Sequence, residues 1–212
     1  MASLSLGAVL RQYDLDLAPA PPAPQSTIPP RLLILACSSS KAAGDGLSAR
    51  DRYTGPLWQT LKTADPAGEA CFTAALSARY GLIDAKTPIA DYNQVLDAQA
   101  SRAMTDGGPW RNYPDFAPLT QKTAAGRSRA AAARPPRISP AIAIHLMARQ
   151  LGRPFSDIAV CGGHLYGRPV LAWLEALATP SDVAANARVT VINDQIGFMR
   201  QGLRRSLQEP AA

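Results

Sequence analysis

Leu32, Leu33, Ile34 and Leu35 follow one another with no polar residue between them, after Pro29 and Pro30 and just before Cys37, Ser38, Ser39 and Ser40. A strand wetted on one face alternates apolar and polar residues. An unbroken apolar run belongs to a strand covered on both faces, and such strands are typical of parallel sheets flanked by helices. The run predicts a first strand over 31–37. Comparable stretches predict strands over 70–78 ("ACFTAALSA"), 157–163 ("DIAVCGG") and 188–193 ("RVTVIN"). Helical patterns fall between and after them. "LWQTLKTA" follows Gly55 and Pro56, with proline suited to a first helical turn. "DYNQVLDAQASRAM" covers 91–104, "GRPVLAWLEALA" covers 167–178, and "IGFMRQGLRRSL" closes the chain as a basic amphipathic helix. The alternation predicts an α/β fold: a three-layer, mostly parallel sheet with helices on both faces, Rossmann-like.

The chain has 212 residues, 47% of them hydrophobic and 6% aromatic, enough for one domain built mainly from aliphatic side chains. That domain is expected over 31–212. Residues 1–17 carry a short amphipathic pattern, and 18–30 ("APAPPAPQSTIPP") are too proline-rich for a helix or a central strand, so 1–30 reads as an arm and linker. A basic insertion interrupts the order at about 105–140. Its residues Arg111, Lys122, Arg127, Arg129, Arg134 and Arg137 suit phosphate neutralisation, and also suit a solvated loop. Trp110 and Tyr113 at its start can stack on bases or anchor the loop to the core.

A net charge of +6 favours polyanionic partners. Three widely spaced cysteines and two histidines form neither a disulfide framework nor a zinc-ligand pattern, so no metal site is expected and the sequence names no cofactor. No stretch reaches the roughly 18 apolar residues a membrane helix needs. The N-terminus lacks the features of a secretory signal, so no membrane partner and a cytoplasmic location are expected. The sequence does not indicate an oligomeric state.

In open parallel sheets, ligands bind beyond the carboxyl ends of the strands. Three such ends carry polar or small residues here. The first delivers Cys37, Ser38, Ser39, Ser40 and Lys41; the second Ser77, Arg79 and Tyr80; the third Gly162, Gly163, His164 and Tyr166. Consecutive amides among small side chains can make an anion site, and Lys41 and Arg79 add charge. Cys37 is the candidate nucleophile, against the plainer reading of a small buried hydrophobe. His164 is the candidate acid or base, or else a loop histidine bonded to backbone. Cys71 and Cys161 read as packing residues, and His145 as a structural or surface member of a helix. Arg50, Asp51 and Tyr53 precede the first helix and offer ligand contacts, although Asp51 also fits a helix cap, as does Asp91 further on.

The motifs "LLILACSSSK", "ARDRYTGPLW", "LSARYGLID", "DYNQVL", "AVCGGHLYGRPVLAWL" and "NDQIGFMRQGL" occur in that order. They resemble an uncharacterised bacterial and phage domain family with a Cys-Ser-x-x-Lys element, over about 31–104 and 156–204. The element is also similar to the core domain of archaeosine synthase, a transfer-RNA-modifying enzyme, with Ala42 and Ala43 standing where that motif has Pro-Tyr. More distantly it is similar to peroxide-stress proteins that bind DNA. The resemblance implies a pocket associated with modified bases or nucleosides.

Together these readings predict an enzyme, a transferase or hydrolase, acting on a nucleobase, nucleoside or nucleic acid. Cys37, Lys41 and His164 would be its catalytic residues. Ser38, Ser39, Ser40, Arg50, Asp51, Tyr53, Ser77, Arg79, Tyr80, Gly162, Gly163 and Tyr166 would bind substrate. The alternative is a non-catalytic DNA- or RNA-binding protein that uses the basic insertion and the last helix.

Overall fold

The structure, a computed structural model, describes residues 27–113, 138–177 and 181–209. Among them, five strands form one sheet: β1 (Arg31–Ala36), β2 (Phe72–Ser77), β3 (Gly81–Asp84), β4 (Phe155–Cys161) and β5 (Val183–Ile192). The order across the sheet is β3-β2-β1-β4-β5. β1 pairs in parallel with β2 and β4, β4 pairs in parallel with β5, and only β3 runs antiparallel, against β2. Six helices among the described residues accompany the sheet: α1 (Ala49–Arg52), α2 (Pro56–Ala64), α3 (Ala98–Gly107), α4 (Pro140–Leu151), α5 (His164–Ala176) and α6 (Ile196–Gln208). The expected α/β class with a mostly parallel sheet is therefore present.

The unbroken run in β1 serves two cores. Leu32 and Ile34 join Ile158 and Val160 with residues of α3, α4 and α5, among them Met104, Ile144, Met147 and Trp173. Leu33 and Leu35 point the other way and join Ala159 and Cys161 with Leu57, Trp58 and Leu61 of α2 and Leu203 of α6. Successive side chains of a strand alternate faces, so a strand feeding two cores has an apolar centre and keeps its one charged residue, Arg31, at its start. The start of β1 is fixed by charge. Buried Arg31 donates through Nε to Asp157 Oδ2 at 2.7 Å, and Arg188 reaches the same oxygen at 2.9 Å.

Several elements differ from the sequence expectation. The second strand end, read as an open tip, is a tight turn into β3. Gly81 sits at φ +68°, and a Cβ there would lie 2.7 Å from the Tyr113 carbonyl oxygen. The helix expected over 91–104 begins only at Ala98, where the Asp97 carboxylate accepts the Ala100 amide at 2.7 Å. Residues 91–97 form neither helix nor strand. The helix expected from 167 starts three residues earlier, at His164, and carries Pro169 in its interior. Proline cannot donate to the carbonyl four residues back. That carbonyl, Leu165 O, accepts the Ser101 hydroxyl at 2.7 Å instead, so α3 repairs the gap in α5.

Of the basic insertion, only its two ends are described. Its first residues finish α3 and its last begins α4. Tyr113 is an anchor: its hydroxyl donates among the carbonyls of Ala103, Met104 and Gly108, and its ring stacks on Trp173 at 5.7 Å. Trp110 packs against the same core. Residues 1–26 of the expected 1–30 arm and linker, and the basic residues Lys122, Arg127, Arg129, Arg134 and Arg137, lie outside the described residues. Among the described residues, no helix is long and apolar enough to cross a membrane.

Candidate functional site

After β1 the chain builds outward to β2 and β3 on one side, then returns to β4 and β5 on the other. The reversal falls between the carboxyl ends of β1 and β4, the place where open α/β sheets bind ligands. Cys37 follows β1 at this point, and Gly162, Gly163 and the first turn of α5 follow β4. Two close contacts pin the rim. Gly162 lies so near β1 that a Cβ would sit 2.6 Å from the Ala36 Cβ. Gly55, at the start of α2, leaves room for Ser38, whose Oγ would lie 2.3 Å from a Cβ there. The Cys-Ser-Ser-Ser-Lys segment is also tied along its length to the chain before α2, with the Ala42 amide donating to Arg52 O and the Thr54 amide to Ser40 O. Buried Arg52 holds the loop from below through the carbonyls of Ala42, Gly44 and Ile89.

Cys37 is half-buried, and its sulfur lies 3.3 Å from the Tyr166 hydroxyl. Burial, followed by the charge of Cys37, raises the Tyr166 pKa, with the Leu96 amide opposing the rise. Tyr166 therefore keeps its proton at neutral pH and can donate to a Cys37 thiolate. Cys71 and Cys161 differ from Cys37. Both are buried, and burial pushes their thiols up to about 11 and about 12. Those two remain packing residues, while Cys37 is the thiol at the rim.

A second feature is a chain of hydroxyls. Ser77 Oγ accepts the amides of Arg79 and Tyr80, each at 3.1 Å, which occupies its lone pairs. Its own proton then goes to Tyr92 OH at 2.8 Å, and Tyr92 donates onward to Tyr53 OH at 2.7 Å. Burial is the largest cause raising the pKa of both phenols, and the charge of Cys37 contributes to each. Above the Tyr92 ring sits Lys41 Nζ, 4.2 Å from the centroid, and it also donates to Ser39 O at 3.4 Å.

No family model, curated protein or solved structure matches this chain. The motif resemblance therefore rests on the residues alone, and the site is read from its geometry.

That geometry brings Cys37, Ser38, Lys41, Gly162, Gly163 and Tyr166 to one rim and corrects other expectations. Tyr53, Ser77 and Tyr80, expected to touch substrate, are 0%, 0% and 7% exposed. They lie beneath the rim as supports, with Tyr80 OH bonded to both the amide and the carbonyl of Ala90. Arg79 contributes its amide to the Ser77 turn. Arg50 does not join the site: its guanidinium turns to the Asp65 carbonyl. Asp51 takes the plainer reading, because its amide and carboxylate both bond Ser48 Oγ in a cap of α1. His164 is exposed at the start of α5, and among the described residues it is bonded neither to Cys37 nor to any other group. Tyr166 stands where a histidine partner was sought. The serine run is only partly an amide cradle, since the Ser40 amide turns inward to Ser38 Oγ at 3.1 Å while Ser39 and Ser40 themselves are exposed. Arg111 is exposed beyond α3, away from this rim.

Tyr92 is the residue that sequence reasoning left without a role. It lies in a loop where no periodicity marks which side chains turn inward, and the one signal was its place beside Asp91 in "IADYNQVL". Among the described residues, no group of three or more His, Cys, Asp or Glu gathers to hold a metal ion.

Proposed function

We propose that this protein is a cysteine-dependent enzyme acting on a nucleobase, nucleoside or nucleic acid, a transferase or hydrolase in which Cys37 attacks an electrophilic carbon. One observation carries the reading: a half-buried cysteine, within 3.3 Å of a phenol donor, stands at the topological switch point of a mostly parallel sheet. Tyr166 donates to the sulfur and holds it in place. The exposed small residues Ser39, Ser40 and Gly163 leave the rim open to an approaching ring. The net charge of +6 favours phosphate-bearing partners. The two cores on opposite sides of the sheet support the finer reading of a three-layer, Rossmann-like arrangement, and a cytoplasmic setting suits a half-buried free thiol.

The test is labelling with iodoacetamide followed by peptide mapping, with and without a panel of nucleosides, nucleotides and short oligonucleotides. Cys37 is expected to react in the native protein while Cys71 and Cys161 stay unlabelled until unfolding. Tyr166→Phe should slow the reaction, and at least one panel member should protect Cys37. A native Cys37 as inert as the two buried thiols would refute the nucleophile. A reactive Cys37 that no panel member protects would refute the substrate class.

A further inference from the structure

Lys41 is held in an unusual way. A lysine beside a reactive centre is commonly fixed by a carboxylate, which cancels much of its charge. Here Lys41 makes no ion pair with any described residue; its ammonium rests on the face of Tyr92 and donates to the Ser39 carbonyl. The neighbouring carboxylate, Asp91, is turned to its own backbone, accepting the Tyr92 amide at 2.8 Å. An aromatic face attracts a cation through its quadrupole without carrying a countercharge. The ring is itself fixed at its far end, where Tyr92 OH is bonded to both Ser77 and Tyr53. Tyr92 and Cys37 pack against the same hydrophobic core. Lys41 follows Cys37 by four residues on the loop after β1, so the platform holds its ammonium on the loop that carries the sulfur.

We propose that Tyr92 is a positioning residue that holds Lys41 uncompensated beside Cys37, and that the site therefore selects substrates with an anionic group, phosphate or carboxylate, next to the carbon Cys37 attacks. The inference rests on the reading of Cys37 as the nucleophile and adds the charge of the substrate to it.

The test uses two alkylating probes that differ in charge. In each, the thiolate sulfur forms a bond to the methylene carbon as the carbon–iodine bond breaks and iodide leaves. Iodoacetamide is neutral and iodoacetate is anionic. The measured quantity is the ratio of their rates at Cys37, relative to the same ratio for free cysteine. The ratio should exceed that of free cysteine by about fivefold, the effect of one unit charge some 4 Å away in water. It should fall as salt is added. Lys41→Met and Tyr92→Leu should both bring the ratio down to that of free cysteine. Tyr92→Phe keeps the ring, loses the hydroxyl, and should retain most of the preference. A merely structural tyrosine would change both rates together and leave the ratio alone.

A wild-type ratio in Lys41→Met, or in folded Tyr92→Leu, overturns the proposal, as does a Tyr92→Phe ratio as low as that of Lys41→Met. Should Tyr92→Leu fail to fold, Lys41→Met and Tyr92→Phe still decide it. Failure of the parent reading looks different: Cys37 would then be inert to both probes.

Discussion

At the scale of single residues, the rim depends on contacts that leave no room for a methyl group. Gly55 is not needed for a left-handed backbone; it is needed because Ser38 occupies the space a Cβ would take, with Ser38 Oγ at 2.3 Å and Ser38 Cβ at 3.0 Å. Gly55→Ala must therefore displace the loop that carries Cys37. The expected outcome is a protein that still melts cooperatively but labels at Cys37 several-fold more slowly. Adding Ser38→Gly should restore most of the rate, because the second change removes the atoms the new methyl meets. Rates from the double-mutant cycle check this, and equal slowing in the single and double variants would count against it. The pairing of "TGP" with "CSSS" was visible in the sequence as two separate motifs. Their steric dependence was not, because a contact between two loops has no periodic signature. Tyr92 was hidden for the same reason, whereas Cys37 stood out because polar residues break off abruptly from an apolar strand.

At the scale of elements, α5 shows how a local rule is broken and then compensated from a neighbour. Pro169 inside the helix leaves Leu165 O without its usual donor, and the Ser101 hydroxyl on α3 takes over at 2.7 Å. The bond secures the first turn of α5, which carries Tyr166. Ser101→Ala leaves a carbonyl without its partner, at a cost of about 1–3 kcal/mol. In a Pro169→Ala background the restored amide can serve Leu165 O, so the same Ser101→Ala change should cost much less. Tm values for the four proteins measure the coupling, and a cost independent of residue 169 would contradict the account. The sequence pattern placed the start of α5 near Gly167, because the apolar face that marks the helix runs from Val170 onward. The actual start depends on a serine more than sixty residues away in the chain. β3 escaped notice because only two of its four residues, Leu82 and Ile83, are apolar, too few to mark a strand. β1, β2 and β4 were legible because burial on both faces leaves each with an apolar run at its centre and confines charged and most polar residues to its ends.

At the scale of the whole molecule, the two ends of the sheet are held by different chemistry. The carboxyl end carries a chain of hydroxyls, the Cys37 thiol and the Lys41 ammonium. The amino end is closed by charge: Asp157, 2% exposed, lies between Arg31 and Arg188, and Arg31 also reaches the Glu209 carbonyl at the end of α6. Burial alone would raise the Asp157 pKa. The Arg188 and Arg31 guanidiniums outweigh it and hold the carboxyl below its ordinary value. The sign of the pH dependence follows. A depressed folded-state pKa means that the unfolded chain takes up the proton first on acidification. The stabilisation is complete above the usual aspartate pKa of about 3.9 and is lost as pH falls from there through the lower folded-state value. Asp157→Asn removes the carboxylate and leaves two arginines without their shared partner, one of them deeply buried. Breaking a buried pair in this way costs about 3–5 kcal/mol. Urea unfolding from pH 7 down to pH 2 should show the wild type losing stability below about pH 4. The variant should be less stable at neutral pH and should lose less on acidification, so the two curves converge. Parallel curves would mean that Asp157 does not carry the acid response. Because the charged end lies across the sheet from Cys37, the variant should label at the wild-type rate wherever it remains folded, which separates the stability of the sheet from the chemistry at its rim.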